Sequence, residues 1–283
     1  MPVVINSNAS ATSSSFNLSR ANESLRKSLE RLSTGKRINS AADDAGGLSV
    51  AYKLNSRINR TQAIIQNSQN ALSYLQVQDS SLATAGKIVD RMSELRTMAQ
   101  DITKNTGDIE NYTKEFVELQ SQLLQVSKEK FNGISLFAIT SATAVDNILN
   151  AGTSSFNTNS YNVFSRTLYT SDNGDAEIGS VSVNVVNFQF MLSIGSLAVN
   201  GSGSTYNLGN IGGGNGTTNG VDSDGFINDI RNVSVSQFID IIGKIADMRA
   251  ENGAEQNRVM QRIDLLQTNI TNLESAHGKI MDA

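Results

Sequence analysis

The 283-residue chain contains no cysteine, no tryptophan, a single histidine (His277) and a single proline (Pro2). Without cysteine there can be no disulfide, no cysteine-held zinc and no thiol nucleophile. One imidazole rules out any site that needs two. Aromatic residues are only 6% of the chain against 39% apolar overall, which suits slender helical packing better than a thick globular core. Charge of one sign is also scarce: 23 Lys+Arg face 27 Asp+Glu, a net −4, so there is no basic footprint for nucleic acid. No stretch approaches the roughly 18 consecutive apolar residues of a membrane span. The first 16 residues have neither a basic n-region nor an apolar h-region, so they do not read as a cleavable secretory signal. These absences predict no enzyme, no cofactor and no metal centre.

What is present is segregated. Between residues 141 and 225, 47 of 85 positions are Asn, Gly, Ser or Thr, and Arg166 is the sole basic residue. Such a boundary separates a helical framework from a loop-and-strand insert. Before it, Ala11, Leu18, Leu25 and Leu32 recur every seven residues with Leu29 on the neighbouring row. That is a thin heptad stripe from Ala11 to Leu32, enough for a coiled-coil seam but too narrow to bury alone. Ser33-Thr34-Gly35 closes it.

Ser40-Ala41-Ala42-Asp43 resembles a capping box, opening a long helix from Ala42 to Ile102. Its stripe drifts from Ile58, Ile65 and Leu72 to Leu75, Leu82 and Val89, then to Ile88, Leu95 and Ile102. A straight 3.6-residue helix drifts in this way against a 3.5-residue repeat. It would span roughly 90 Å. Asn105-Thr106-Gly107 breaks it, and Ile109, Tyr112, Phe116, Leu119, Leu123 and Val126 carry the next helix. The far flank mirrors this: Ile242, Ile245, Val259, Ile263, Leu266, Ile270, Leu273 and Ile280 run in 3/4 spacing from Val235 to the end, interrupted by Arg249, Asn252 and Gln256. The expected fold is mainly α: a long antiparallel helical bundle or coiled coil from both chain ends, with a small β-rich, loop-rich inserted region. Within the insert, residues 181–186 and 188–194 alternate as strands; Asn-Gly pairs at Asn132, ahead of the insert, and at Asn173, Asn200, Asn215 and Asn219 signal turns.

The candidate chemical sites mostly fall to structural readings. His277 continues the apolar register and reads as a packed imidazole. The run 211–220 lacks the Lys of a phosphate loop and reads as a flexible exposed loop. Asp222 and Asp224 would need carboxylates at Gly220 and Arg231 to complete a calcium loop. Asp43 and Asp44 point about 100° apart on a helix and so read as capping and salt-bridging residues rather than an acid/base pair. The basic cluster Arg20, Arg26, Lys27, Arg31, Lys36 and Arg37 reads as a solvated helix face.

Several segments resemble bacterial flagellin in family order. Val4-Ile5-Asn6-Ser7-Asn8 resembles its opening, and residues 29–48, LERLSTGKRINSAADDAGGL, are similar to its most characteristic segment. Phe131-Asn132-Gly133 with Leu136 resembles the end of its N-terminal half; Gln256-Asn257-Arg258 and residues 275–283 resemble its C-terminal half. The resemblance covers roughly 1–138 and 230–283. It implies a structural subunit of the flagellar filament, exported unfolded through the flagellar type III apparatus, extracellular, and secreted without a cleavable signal peptide. It implies an inner-core helix at 1–40, a helical core from 41–140 and 226–283, and an outward variable insert at 141–225. Self-assembly would use Leu18, Leu25, Leu29, Leu32, Asp43 and Asp44. The partners implied are further copies of the chain, hook-junction and cap proteins, the export apparatus, and an innate immune receptor at Arg91, Glu94 and Leu95, where Ser93 replaces a common Arg. Neither nucleic acid nor membrane insertion is implied.

The alternative is a hook–filament junction protein, which shares the Ser-Thr-Gly-Lys-Arg turn. The family also continues past a segment like Ile280–Ala283 with a further helix. The expectation for this chain is therefore a subunit without that helix, with impaired polymerisation and a mobile N-terminal helix.

Overall fold

The computed structural model describes residues 8–138, 164–171, 179–195, 197, 206–213, 215–216 and 219–282. The expected mainly helical fold with a small strand-containing middle region is what it shows. In chain order the elements are α1 (Ala9–Thr34), α2 (Ala45–Met98), α3 (Thr106–Ser127), β1 (Lys130–Phe131), β2 (Ile134–Ser135), β3 (Phe164–Tyr169), β4 (Ser180–Val185), a single turn α4 (Phe188–Met191), β5 (Ser193–Gly195), β6 (Tyr206–Asn207) and α5 (Val235–Met281). The chain divides into two compact units: Met1–Ala63 with Leu265–Ala283, and Ile64–Asp264.

In the larger unit, α2 and α5 run antiparallel: Gln78 bonds Asn252, Asp79 pairs with Arg249, and Gly86 lies against Ile245. The drifting stripe is buried as expected at Leu75, Leu82, Val89 and Leu95, joined by Phe116, Leu123 and Val126 of α3 and by Ile245, Val259 and Ile263 of α5. The interruption at Asn252 is a buried polar layer. Gln78 donates to the Leu136 carbonyl (2.9 Å) and accepts from Asn252 (2.7 Å), which accepts from Gln256 (2.6 Å). Helix starts follow their caps: Asn105 and Asp108 form a reciprocal capping box at α3, and Ser234 and Gln237 do the same at α5.

Three expectations change. The long helix is Ala45–Met98, not Ala42–Ile102. Asp43 closes a separate turn before it, and the 3.1 Å bond from Gln100 N–H to the Thr97 carbonyl tightens its end. Ile102, expected on the stripe, is 99% exposed beyond that end. Secondly, 188–194 is not one strand. Asn187 accepts the Phe190 N–H and turns the chain into α4, leaving only Ser193–Gly195 extended. Thirdly, the described part of 211–220 is anchored, since Ile211 and Asn215 are buried. Asn215 accepts the Asn207 N–H and donates to the Asn207 and Gly225 carbonyls.

Strand pairing is local. β1 and β2 form a hairpin whose Asn132-Gly133 turn has φ of 49° and 78°, the positive-φ pair of a type I′ turn. β3, which periodicity does not flag, pairs antiparallel with β4 from Phe164↔Val185 to Tyr169↔Ser180, and β5 pairs with β6. From the compositional insert, Val183, Phe188, Leu192, Leu208 and Ile211 enter the same apolar core as α2, α3 and α5. The Asn-Gly pairs at Asn173 and Asn200 lie outside the described residues.

In the smaller unit, α1 leads through residues 35–44 into the start of α2, and the end of α5 closes against that connection. Arg37 N–H bonds the Met281 carbonyl (2.7 Å), its guanidinium bonds the Ile280 carbonyl (2.9 Å), and the backbones of Lys36 and Asp282 pair as an isolated antiparallel β-bridge. Ile38 is buried there, as are Ala51 and Ile58 on α2.

Candidate self-assembly surface

Helix α1 is well made locally. Asn8 Oδ1 accepts the Ser10 and Ala11 N–H groups at 3.1 and 3.2 Å, relieving two of the orphan donors at the N-terminus. At the other end Gly35, at φ 68°, donates to the Arg31 carbonyl at 2.8 Å, a left-handed cap that a side chain would strain. Yet no residue of its 26 is buried. Leu18, Leu25 and Leu29 are more than half exposed, Leu32 is 81% exposed, and Phe16 extends the same apolar surface. Helical stability in proteins comes mainly from burying an amphipathic face. This helix presents the face and buries none of it in its own chain.

The connection after α1 is held by the two aspartates. Asp43 accepts from the Asn39 and Ser40 N–H groups (3.2 and 3.1 Å) and pairs with Lys27 of α1 at 2.5 Å. The Lys27 bond, with the Ser40 N–H behind it, holds the Asp43 carboxyl well below the usual carboxylate range. Asp44 is the cap of α2, its Oδ1 taking the Gly47 N–H at 2.8 Å. The capping residue is thus Asp44 rather than Ser40, and Arg37 reaches Asp44 only at the 4.0 Å limit. Position 47 requires glycine: a Cβ there would lie 2.5 Å from Asp44 Oδ2 and 2.9 Å from Ile38 Cδ1. Lys27, expected on a solvated helix face, and Gly47 are the residues that position this turn.

Of the residues implied as a receptor patch, Arg91 and Glu94 are at the surface. Arg91 bonds Glu115 (2.8 Å) and Glu94 (3.1 Å), and these carboxylates, Glu115 first, push the guanidinium pKa up. Leu95 is a correction: it is 0% exposed and belongs to the core, one residue after Glu94 and four after Arg91. His277 is half-buried on α5. Asp222 and Asp224 sit in a turn in which Gly225 donates to the Asp222 carbonyl, and among the described residues no metal-holding cluster occurs.

Residues 5–142 match the family described as bacterial flagellin N-terminal helical region. The chain is 33% identical over 135 residues to the flagellar filament 33 kDa core protein of Treponema phagedenis, covering 47% of each protein. It is 32% identical over 145 residues to a flagellin of Listeria innocua serovar 6a, covering 51% of this chain and 50% of that one. The chain resembles bacterial flagellins over its N-terminal half. It spans about half the length of the curated flagellins it matches. Among solved structures, a Bacillus cereus flagellin aligns over 75% of this chain and 94% of its own, at 19% identity and TM-score 0.45. The flagellin match takes in α1, the Asp43–Asp44 turn, α2, α3 and the first hairpin.

Proposed function

We propose that the chain is a structural, non-catalytic subunit of the bacterial flagellar filament, and that α1 is its innermost assembly element. The observation that carries this reading is the exposed heptad row Leu18, Leu25 and Leu32 with Leu29 beside it, on a helix capped at both ends and buried nowhere. Burying a leucine is worth about 1.5–3 kcal/mol, so a seam of these four in a second copy would supply a large part of an interface. Asp43 and Asp44 serve assembly indirectly, by fixing the angle at which α1 leaves α2. The helical core at 41–140 and 226–283 forms the next shell, and 141–225 faces outward.

This role places the protein outside the cell, delivered by the flagellar export apparatus and bounded along the filament by junction and cap proteins. The junction-protein alternative finds no support among the relatives. For an innate immune receptor, the surface offered is Arg91 with Glu94, and Leu95 acts by supporting them. Electron microscopy of the protein assembled from cells that make it decides the main point. Long filaments of the native protein are expected; a short collar at the hook tip would reassign it to the junction.

A further inference from the structure

Among the described residues Ile102 is the most exposed large apolar one, at 99%. It projects from a turn that is tied down on both sides. Asp101 Oδ1 takes the Thr103 N–H and hydroxyl, both at 2.9 Å, and Lys104 N–H bonds the Asp101 carbonyl at 3.1 Å. A fully solvated isoleucine on a rigid turn gains nothing for its own fold, but it has little entropy to lose on docking.

The same compact unit carries an open concavity of about 410 Å³ beside the first hairpin. Tyr74, Phe131, Ile134, Leu168 and Val183 give it apolar walls, and Arg166 also lines it. The Arg166 guanidinium lies 5.2 Å from the Tyr74 ring centroid and donates to the Ser135 carbonyl, while its Nε has no partner among the described residues. The 102 turn brings Asp101 and the carbonyl, negative end of α2 alongside its apolar tip, with Lys104 near enough to Asp101 to offset part of that charge. Knob and socket therefore match in both polarity and charge. Tyr74 precedes the end of α2 by 24 residues, about 36 Å of helix, so the turn cannot fill the socket of its own chain.

We propose that Ile102 of one copy seats in the Tyr74–Phe131–Arg166 concavity of the next. A knob and a socket on different parts of one surface make a heterologous contact, which propagates head to tail instead of closing. The proposal rests on the filament reading and names a contact within it, distinct from the α1 seam.

Because the chain has no cysteine, the test is clean. The full-length double variant Ile102→Cys, Ile134→Cys is assembled in its own cells, filaments are confirmed by microscopy, and a short bismaleimide is added. A ladder of covalent multimers is expected, with monomer only from each single variant. Filaments that give no ladder overturn the contact and leave the filament reading standing. Dimers from Ile102→Cys alone also overturn it, since they mean tip-to-tip pairing. A wild-type chain that forms no filament overturns both. Separately, Ile102→Asp should leave monomer melting unchanged and raise the critical concentration about tenfold, equivalent to about 1.4 kcal/mol. Assembly at the wild-type concentration would contradict the contact.

Discussion

Replacing Asn252 by leucine tests how the polar layer at the centre of the larger unit is held. Gln78 is fully buried, and its Oε1 has Asn252 Nδ2 as its hydrogen-bond donor at 2.7 Å. Leucine nearly conserves volume, so the main loss is that bond, leaving a buried acceptor unpaired at a cost of about 1–3 kcal/mol. Gln256, half-buried, also loses its acceptor but can turn toward water. The expected destabilisation is about 2–3 kcal/mol, or a fall in Tm of about 5–10 °C for a unit of this size. Changing Gln78 to leucine as well removes the orphan. The Leu136 carbonyl that Gln78 had served keeps the Tyr74 hydroxyl at 3.2 Å, so the double variant should recover. Thermal and urea unfolding of the two single variants and the double variant should give a coupling of at least about 1 kcal/mol. A neutral Asn252→Leu, or strictly additive losses, would refute the reasoning.

Other expectations follow from close contacts and buried charge. Gly47→Ala should destabilise the α1–α2 connection by about 1–3 kcal/mol, because its Cβ meets Asp44 and Ile38; amide exchange at the start of α2 would accelerate. Gly86→Ala, where a Cβ lies 3.6 Å from Ile245, should instead stabilise by up to about 1 kcal/mol. Burial raises the Glu255 carboxyl above its usual range, opposed in part by the Asn184 N–H it accepts. The native state then holds the proton more tightly than the unfolded chain. Stability from the protonated form is present at low pH and lost as pH rises through the native pKa. Glu255→Gln keeps an acceptor for Asn184, so its Tm relative to wild type should climb from about pH 4 to pH 7. A constant difference across that range would argue against a buried charge.

The helical framework was legible because burial on a helix leaves a periodic trace. Leu75, Leu82 and Val89 on α2 and Val259 and Ile263 on α5 announce which face is inside, and Leu18, Leu25 and Leu32 announce a seam with no partner nearby. Helix ends were less legible, since Ile102 keeps the stripe's spacing after the backbone has turned. The middle region was least legible. Phe188, Phe190, Leu192 and Ile194 alternate like a strand, but Asn187 supplies a cap that wins over the alternation. Gln120 looks like an ordinary helix-surface residue. It is buried and replaces a strand partner for Ile227, donating to its carbonyl at 2.9 Å and accepting its N–H at 3.0 Å. That partner is 107 positions away, and local pattern cannot carry such a contact. Similarly, Asp43 and Asp44 were readable as capping and ion-pairing residues, whereas the choice of Lys27 as the partner required the turn's geometry.

The central claim is that the exposed row of α1 is an assembly seam. Its most direct test is the double substitution Leu18→Asp, Leu25→Asp in the native protein, followed by microscopy of cells and measurement of secreted monomer. Both side chains are more than half exposed, so the monomer should be exported and melt as wild type does. Filaments should be absent or short. Normal filaments from this variant would contradict the account.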